Sequence, residues 1–119
     1  MPHNILLVDD HEPMRQRIRS LLESVGVSVC AEAATGREAI EKTKECMPDL
    51  AIVDLSMPVM SGLQAIPEML KCAPRLKIVI FTVDDAEELR QEALRLGARG
   101  YISKSEPATL LAEVRKLLL

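Results

Sequence analysis

The amino-acid sequence predicts an α/β fold: a doubly wound, five-stranded parallel sheet with helices on both faces, arranged as (βα)5. Three observations carry that prediction. Five short apolar runs recur at residues 5–8, 27–31, 50–53, 78–81 and 100–102. Between them the apolar residues change to a helical period. Successive runs start roughly 20–28 residues apart, which suits one helical crossover each. With 119 residues, the chain has the size of one domain with a single sizeable core.

Taken in order, the runs at 5–8, 50–53 and 78–81 are continuous and β-branched, as parallel strands covered on both faces should be. Those at 27–31 and 100–102 are less continuous and read as edge strands. Met14, Ile18, Leu21, Leu22 and Val25 form the apolar stripe of a first helix, with Arg15, Arg17 and Arg19 off that stripe. Pro13 suits its first turn. Thr35-Gly36-Arg37-Glu38 reads as a capping box for the second helix, and Ser61-Gly62-Leu63-Gln64 as one for the third. Pro67 then falls beyond the positions where a missing N–H is free, so the third helix is expected to start late or irregularly. Asp85 with Glu88 is placed to open a fourth helix carrying Leu89, Ala93 and Leu96, with Gly97 as its C-terminal cap. Leu110, Leu111, Val114, Leu117 and Leu118 line a last helix that starts near Pro107.

Composition narrows the function. The 15 basic and 18 acidic residues leave a formal charge of -3, against a general nucleic-acid binder. Only Phe81 and Tyr101 are aromatic, so no base-stacking platform is expected. Cys30, Cys46 and Cys72 are too widely spaced for a disulfide framework or a structural zinc site, which fits a reducing cytoplasm. No run of about 20 apolar residues offers a membrane span, and the opening residues lack a signal core. The methionines at 14, 47, 57, 60 and 69 read as core filler, and His3 and His11 as surface groups.

The charged residues gain meaning from the fold. Ligands of open α/β sheets bind beyond the carboxyl ends of the strands. Asp9 and Asp10 end the first run, Asp54 the third and Thr82 the fourth, and Lys104 follows the fifth. Alone, each has an ordinary reading as a turn residue, a helix cap or a solvated charge. Together they bring three carboxylates, a hydroxyl and an ammonium to one edge. Crowded carboxylates repel, and a hard dication such as magnesium relieves that repulsion while keeping room for phosphate oxygens. Lys104 suits an added phosphoryl oxygen, Thr82 can donate to another, and a carboxylate can act as nucleophile. The pattern points to phosphoryl chemistry on an aspartate. No phosphate-binding glycine loop and no serine nucleophile elbow is present.

The same residues carry a family resemblance. Val8-Asp9-Asp10-His11, Asp54-Leu55-Ser56-Met57-Pro58-Val59-Met60-Ser61-Gly62, Phe81-Thr82 and Gly97-Ala98-Arg99-Gly100-Tyr101-Ile102-Ser103-Lys104 resemble a two-component response-regulator receiver domain over essentially the whole chain. The Asp-Asp-His opening and Lys-Ser ending look most like receivers of regulators with a helix-turn-helix output domain. The resemblance implies the flavodoxin-like strand order 2-1-3-4-5. It implies that Asp54 accepts phosphate from the phosphohistidine of a sensor histidine kinase. It implies Mg2+ held by Asp9, Asp10, Asp54 and the backbone carbonyl of Ser56. Lys104 and Thr82 would meet the phosphoryl oxygens as catalytic partners of Asp54, and Thr82 with Tyr101 would form the switch.

On this reading residues 1–119 are one receiver domain, a phosphoacceptor and not a turnover enzyme, with no second domain in the chain. An end inside a helix fits a stand-alone receiver and a cut fragment alike. A homodimer formed on phosphorylation has two candidate surfaces: the first and fifth helices, or the fourth helix with the fifth strand and helix. DNA reading would belong to an output domain outside these residues, which hold no basic recognition helix. The alternative is a pseudo-receiver, a protein-interaction domain that works unphosphorylated; the intact acids, Thr82 and Lys104 weigh against it. A phosphatase acting on small metabolites would need a second acid two residues beyond Asp54, where Ser56 stands. Three departures from the family pattern stand out. Val83 replaces a small residue and would narrow access to Asp54. Ser105 replaces a proline that is often cis, leaving cis and trans both open. Ser61 replaces an acidic residue while still suiting a cap.

Overall fold

The computed structural model describes residues 3–57 and 59–118. The elements alternate as β1 (Asn4–Val8), α1 (Glu12–Ser24), β2 (Ser28–Ala33), α2 (Gly36–Cys46), β3 (Leu50–Val53), α3 (Gly62–Cys72), β4 (Lys77–Thr82), α4 (Glu87–Leu96), β5 (Gly100–Ser103) and α5 (Pro107–Leu118). The strands form one parallel sheet in the order β2-β1-β3-β4-β5. The two interrupted apolar runs therefore lie at its edges.

Because side chains alternate along a strand, each run divides between two cores. Leu6, Val8, Ala51, Val53, Ile78 and Ile80 face one side, where they pack with Ala39 of α2, Ala65, Ile66 and Met69 of α3, and Ala93 of α4. Ile5, Leu7, Leu50, Ile52, Val79 and Phe81 face the other, against Ile18 and Leu22 of α1 and Leu110 and Val114 of α5. Each fully buried aliphatic side chain stabilises the fold by about 1.5–3 kcal/mol. A sheet covered on both faces exposes its loops at the strand ends, and that is where polar chemistry can collect.

Several local expectations need correction. The second strand is Ser28–Ala33, not 27–31. The β1–β2 register shifts between Ile5 and Leu6, and pairing then continues to Ala33, whose carbonyl accepts from the Asp9 N–H at 2.9 Å. At α2 only half of the expected box forms. Thr35 Oγ1 accepts from the Glu38 N–H at 3.1 Å, but Glu38 Oε1 reaches one residue further back, to the Ala34 N–H at 2.6 Å, where β2 has just ended.

α3 starts without delay at Gly62, against the expectation of a late or irregular start. Ser61 Oγ accepts from the Gln64 N–H, and Gln64 Oε1 accepts from the Ser61 N–H at 3.0 Å. Pro67 sits inside the helix and half-buried. A proline in a helix interior costs about 3 kcal/mol. Complete burial of Ala65, Ile66 and Met69 on the sheet offsets that cost.

α4 opens one residue later than expected. Ala86 precedes it without a side-chain cap; Asp84, not Asp85, bends the chain, its Oδ1 accepting from the Ala86 N–H at 3.1 Å. Gly97 does cap α4, at φ 119°. Its N–H donates to the Leu94 carbonyl at 3.1 Å and that of Ala98 to Ala93 at 3.0 Å. Only glycine takes that backbone angle without strain.

Of the methionines expected in the core, Met69 is fully buried and Met57 and Met60 pack against the first core, Met14 against the second. Met47 is not core filler: it is 58% exposed and ends α2 in a left-handed conformation. The three cysteines are free thiols. Burial, with Cys46 alongside, pushes the Cys30 thiol up to about 12. Among the described residues no helix is long and apolar enough to cross a membrane.

Candidate functional site

The carboxyl ends of β1, β3, β4 and β5 converge because neighbouring parallel strands keep one direction and near-level register. Asp9 and Asp54 follow β1 and β3 directly, and the Asp54 N–H donates to the Val8 carbonyl at 2.8 Å. The two residues are 3% and 5% exposed, whereas Asp10 is exposed. One carboxylate oxygen from each of Asp9, Asp10 and Asp54 lies within 4.8 Å of the others. Lys104, brought in by the turn after β5, places its Nζ 2.7 Å from Asp9 Oδ2 and 3.1 Å from Asp54 Oδ2.

Each buried oxygen is accounted for. Asp9 Oδ1 accepts from the His11 N–H at 2.9 Å. Asp54 Oδ1 accepts from the Ser56 N–H at 3.3 Å. Among the described residues no buried side-chain nitrogen or oxygen lacks a partner. Burial alone would lower the Lys104 pKa, but its hydrogen bond to Asp9 and the charge of Asp54 outweigh it and hold the ammonium above its ordinary value. One ammonium against three carboxylates leaves the pocket negative. The donors are all hard oxygens, and their spacing suits a small dication with water completing its shell. These residues fit a metal ion of the magnesium type.

Thr82 ends β4 and is wholly buried. Its backbone carbonyl accepts from the Lys104 N–H at 2.9 Å, tying β4 to the Lys104 turn. The hydroxyl accepts from the Asp84 N–H at a long 3.4 Å. The Asp84 carbonyl in turn accepts from the Tyr101 hydroxyl at 2.6 Å. Burial raises the Tyr101 pKa, and the charges of Asp84, Asp85 and Asp54 raise it further. Thr82 and Tyr101 are thus linked through one residue, Asp84. Val83 beside them is 73% exposed. The Lys104–Ser105 peptide is trans, since no described bond is cis. Of the Asp54–Gly62 motif, Pro58 lies outside the described residues.

The loop after Asp54 closes through a glycine. Gly62 donates its N–H to the Leu55 carbonyl at 3.1 Å, and a Cβ there would sit 2.4 Å from the Asp54 carbonyl oxygen. That neighbour is backbone and cannot rotate away. Gly62→Ala is therefore expected to cost about 1–3 kcal/mol by overpacking, read as a lower urea midpoint. An unchanged midpoint would show that the loop relaxes freely.

One group escaped the sequence reading. Arg15 lies off the apolar stripe of α1 as expected, but it is not a solvated charge. Its Nη1 donates to the Asp9 carbonyl at 2.5 Å and its Nε to Glu32 Oε1 at 2.9 Å. Arg19 Nη1 reaches Glu32 Oε2 at 2.5 Å. Burial works to raise the Glu32 pKa, but the hydrogen bonds from Arg15 and Arg19 outweigh it and hold the carboxyl below its ordinary value. The available signal was the four-residue spacing of Arg15 and Arg19, which puts both on one helix face.

Comparison with known proteins agrees with this geometry. Residues 5–115 match the family model described as response regulator receiver domain. The chemotaxis protein CheY of Thermotoga maritima is 35% identical over 118 residues, 98% of each chain. The response regulator UvrY of Escherichia coli is 34% identical over 116 residues, 96% of this chain but 53% of that protein. The chain thus spans nearly all of the first relative and about half of the second. A two-component response regulator of the LuxR family from Aurantimonas sp. SI85-9A1 has a solved structure that superposes with a TM-score of 0.93 at 34% identity, covering 99% of this chain and 86% of that one.

Proposed function

The chain belongs to the response regulator receiver domain family, and on that premise we propose that it accepts a phosphoryl group on Asp54 from a sensor histidine kinase and thereby switches a partner surface. Receiver domains undergo phosphorylation and dephosphorylation without being turnover enzymes. The observation that carries the reading is the pocket itself: three carboxylates within 4.8 Å and one ammonium bridging two of them.

Asp9, Asp10, Asp54 and the Ser56 carbonyl would hold magnesium. Bound there, the ion supplies hard positive charge that offsets the carboxylate repulsion and takes up charge on the phosphoryl oxygens. The chain's own residues do the rest. An Asp54 oxygen attacks phosphorus in line; the new O–P bond forms as the bond to the donor imidazole breaks and its electron pair returns to the ring. Lys104, already 3.1 Å from Asp54 Oδ2, follows the incoming charge onto a phosphoryl oxygen. Asp9 keeps the other side of that ammonium fixed.

Thr82 gives up little to join in. Its bond to the Asp84 N–H is long and therefore weak, so the hydroxyl can turn to donate to a phosphoryl oxygen. Release of the Asp84 N–H loosens the residue whose carbonyl holds Tyr101. The result is a shift between two packings of the face formed by α4, β5 and α5, biased by local charge. Thr82→Ala should still accept phosphate but lose most of the phosphorylation-dependent change in partner affinity. Equal affinity shifts in the two proteins, measured by titration, would reject that role.

Residues 1–119 serve on this reading as one receiver domain. The Asp-Asp-His opening supports a helix-turn-helix output domain in the full protein with transcription regulation as its output, and about half of UvrY lies beyond the matched segment; a homodimer formed on phosphorylation is proposed from the family resemblance alone. The decisive test is intact mass after incubation with acetyl phosphate. One phosphoryl group is expected with magnesium and none after chelation. No gain under either condition would favour a pseudo-receiver that binds its partner unphosphorylated.

A further inference from the structure

We propose that Arg15 is a positioning residue of this site: its guanidinium clamps the Asp9–Asp10 peptide against Glu32 and so aims the exposed Asp10 carboxylate at the metal position. The inference rests on the receiver reading and adds a residue that neither Asp54 nor its charge partners include. Asp9 is held through both carboxylate oxygens, by the His11 N–H and by Lys104. Asp10 is exposed, yet one of its oxygens lies within 4.8 Å of those of Asp9 and Asp54. Something other than burial must set its direction.

Arg15 is placed to do so. The peptide between Asp9 and Asp10 is planar, so fixing its carbonyl also fixes the direction of the Asp10 N–H and the position of the Asp10 Cα from which the side chain departs. Arg15 Nη1 fixes that carbonyl at 2.5 Å. The guanidinium is itself held, because its Nε donates to Glu32 Oε1 at 2.9 Å and its side chain is only 15% exposed. Glu32, on the edge strand β2, is held from its other oxygen by Arg19. Arg19 also reaches Glu23 at 3.4 Å. A rigid fork with fixed donor directions can span a carbonyl and a carboxylate at once; a lysine ammonium on a flexible stem cannot hold both in one geometry.

The electrostatics give the test its sign. Removing the Arg15 charge near three acids would by itself strengthen magnesium binding. Loss of position would weaken it, and groups behind metal ligands typically control affinity by 10–100-fold. Arg15→Met, Arg15→Lys and Glu32→Gln should be titrated with magnesium by calorimetry, beside metal-free NMR of the Asp9 carbonyl and Asp10 amide. Arg15→Met is expected to bind magnesium about tenfold more weakly, with both resonances displaced before any metal is added. Arg15→Lys should fail to restore affinity, and Glu32→Gln should fall between. Wild-type or tighter affinity in Arg15→Met, or full rescue by Arg15→Lys, would overturn the proposal, leaving Arg15 as a surface charge. If wild-type protein binds no magnesium, the receiver reading fails and takes this inference with it; magnesium binding equal in wild type and Arg15→Met removes this inference alone.

Discussion

Asp54→Asn, incubated with magnesium and acetyl phosphate, should gain no phosphoryl group while wild-type protein gains one. The amide is nearly the same size as the carboxylate and can still accept from the Ser56 N–H that now bonds Asp54 Oδ1, so the fold should be preserved. What it lacks is a charged oxygen able to attack phosphorus. The neighbouring acids are poor substitutes. Both Asp9 oxygens are engaged, one by His11 and one by Lys104. Asp10 is exposed at the rim. Intact mass reads the loss, and peptide mapping of wild-type protein should find the group on the Asp54 peptide. A phosphoryl group on Asp54→Asn at the wild-type level would move the acceptor elsewhere and end the assignment.

The second large effect concerns Lys104. Its ammonium is the single cation within salt-bridge distance of Asp9 and Asp54 among the described residues. Lys104→Met keeps much of the stem's bulk and leaves two nearly buried carboxylates facing each other. Breaking a buried pair from one side costs on the order of 3 kcal/mol, to be read as a lower urea midpoint in metal-free buffer. Magnesium should recover part of that loss, because it restores positive charge to the pocket. Phosphorylation should also slow by on the order of a hundredfold, as when a donor to developing charge is removed.

The pH dependence has a definite direction. The Lys104 pKa is raised above its ordinary 10.5 in the folded protein. The contribution of Lys104 is therefore fully present below about pH 10.5 and fades as pH rises through the higher folded value. The stability gap between wild type and Lys104→Met should stay constant from neutral pH to about 10 and narrow above it. A gap that stays constant as pH rises above about 10.5 would mean that Lys104 does not act through its charge.

Much of this was legible in the sequence because it followed from periodicity. Runs at strand spacing, separated by helical stripes, define an alternating parallel fold, and the end of a parallel strand is a predictable place for a ligand. Asp9, Asp10, Asp54 and Lys104 meet for that reason. The strand order and the site roles came from the family resemblance, and the structure has the same order. Expectations built on a single local rule fared less well. Pro67 by itself argues against a regular α3, but three side chains buried on the sheet outweigh one lost hydrogen bond. Asp85 and Asp84 are equally good caps by residue type, and only the path of the loop put Asp84 on the Ala86 N–H.

By itself the sequence determined the alternation of strands and helices and the strand ends where the acids stand, since hydrophobic period and residue type are local properties. Tertiary structure alone decided that Arg15 closes on the Asp9 carbonyl, that Gly62 leaves room for the Asp54 backbone, and that Tyr101 and Thr82 share Asp84. Those contacts join residues from different elements, and their distances depend on how helices settle on the sheet. Packing, unlike period, is a property of the whole chain.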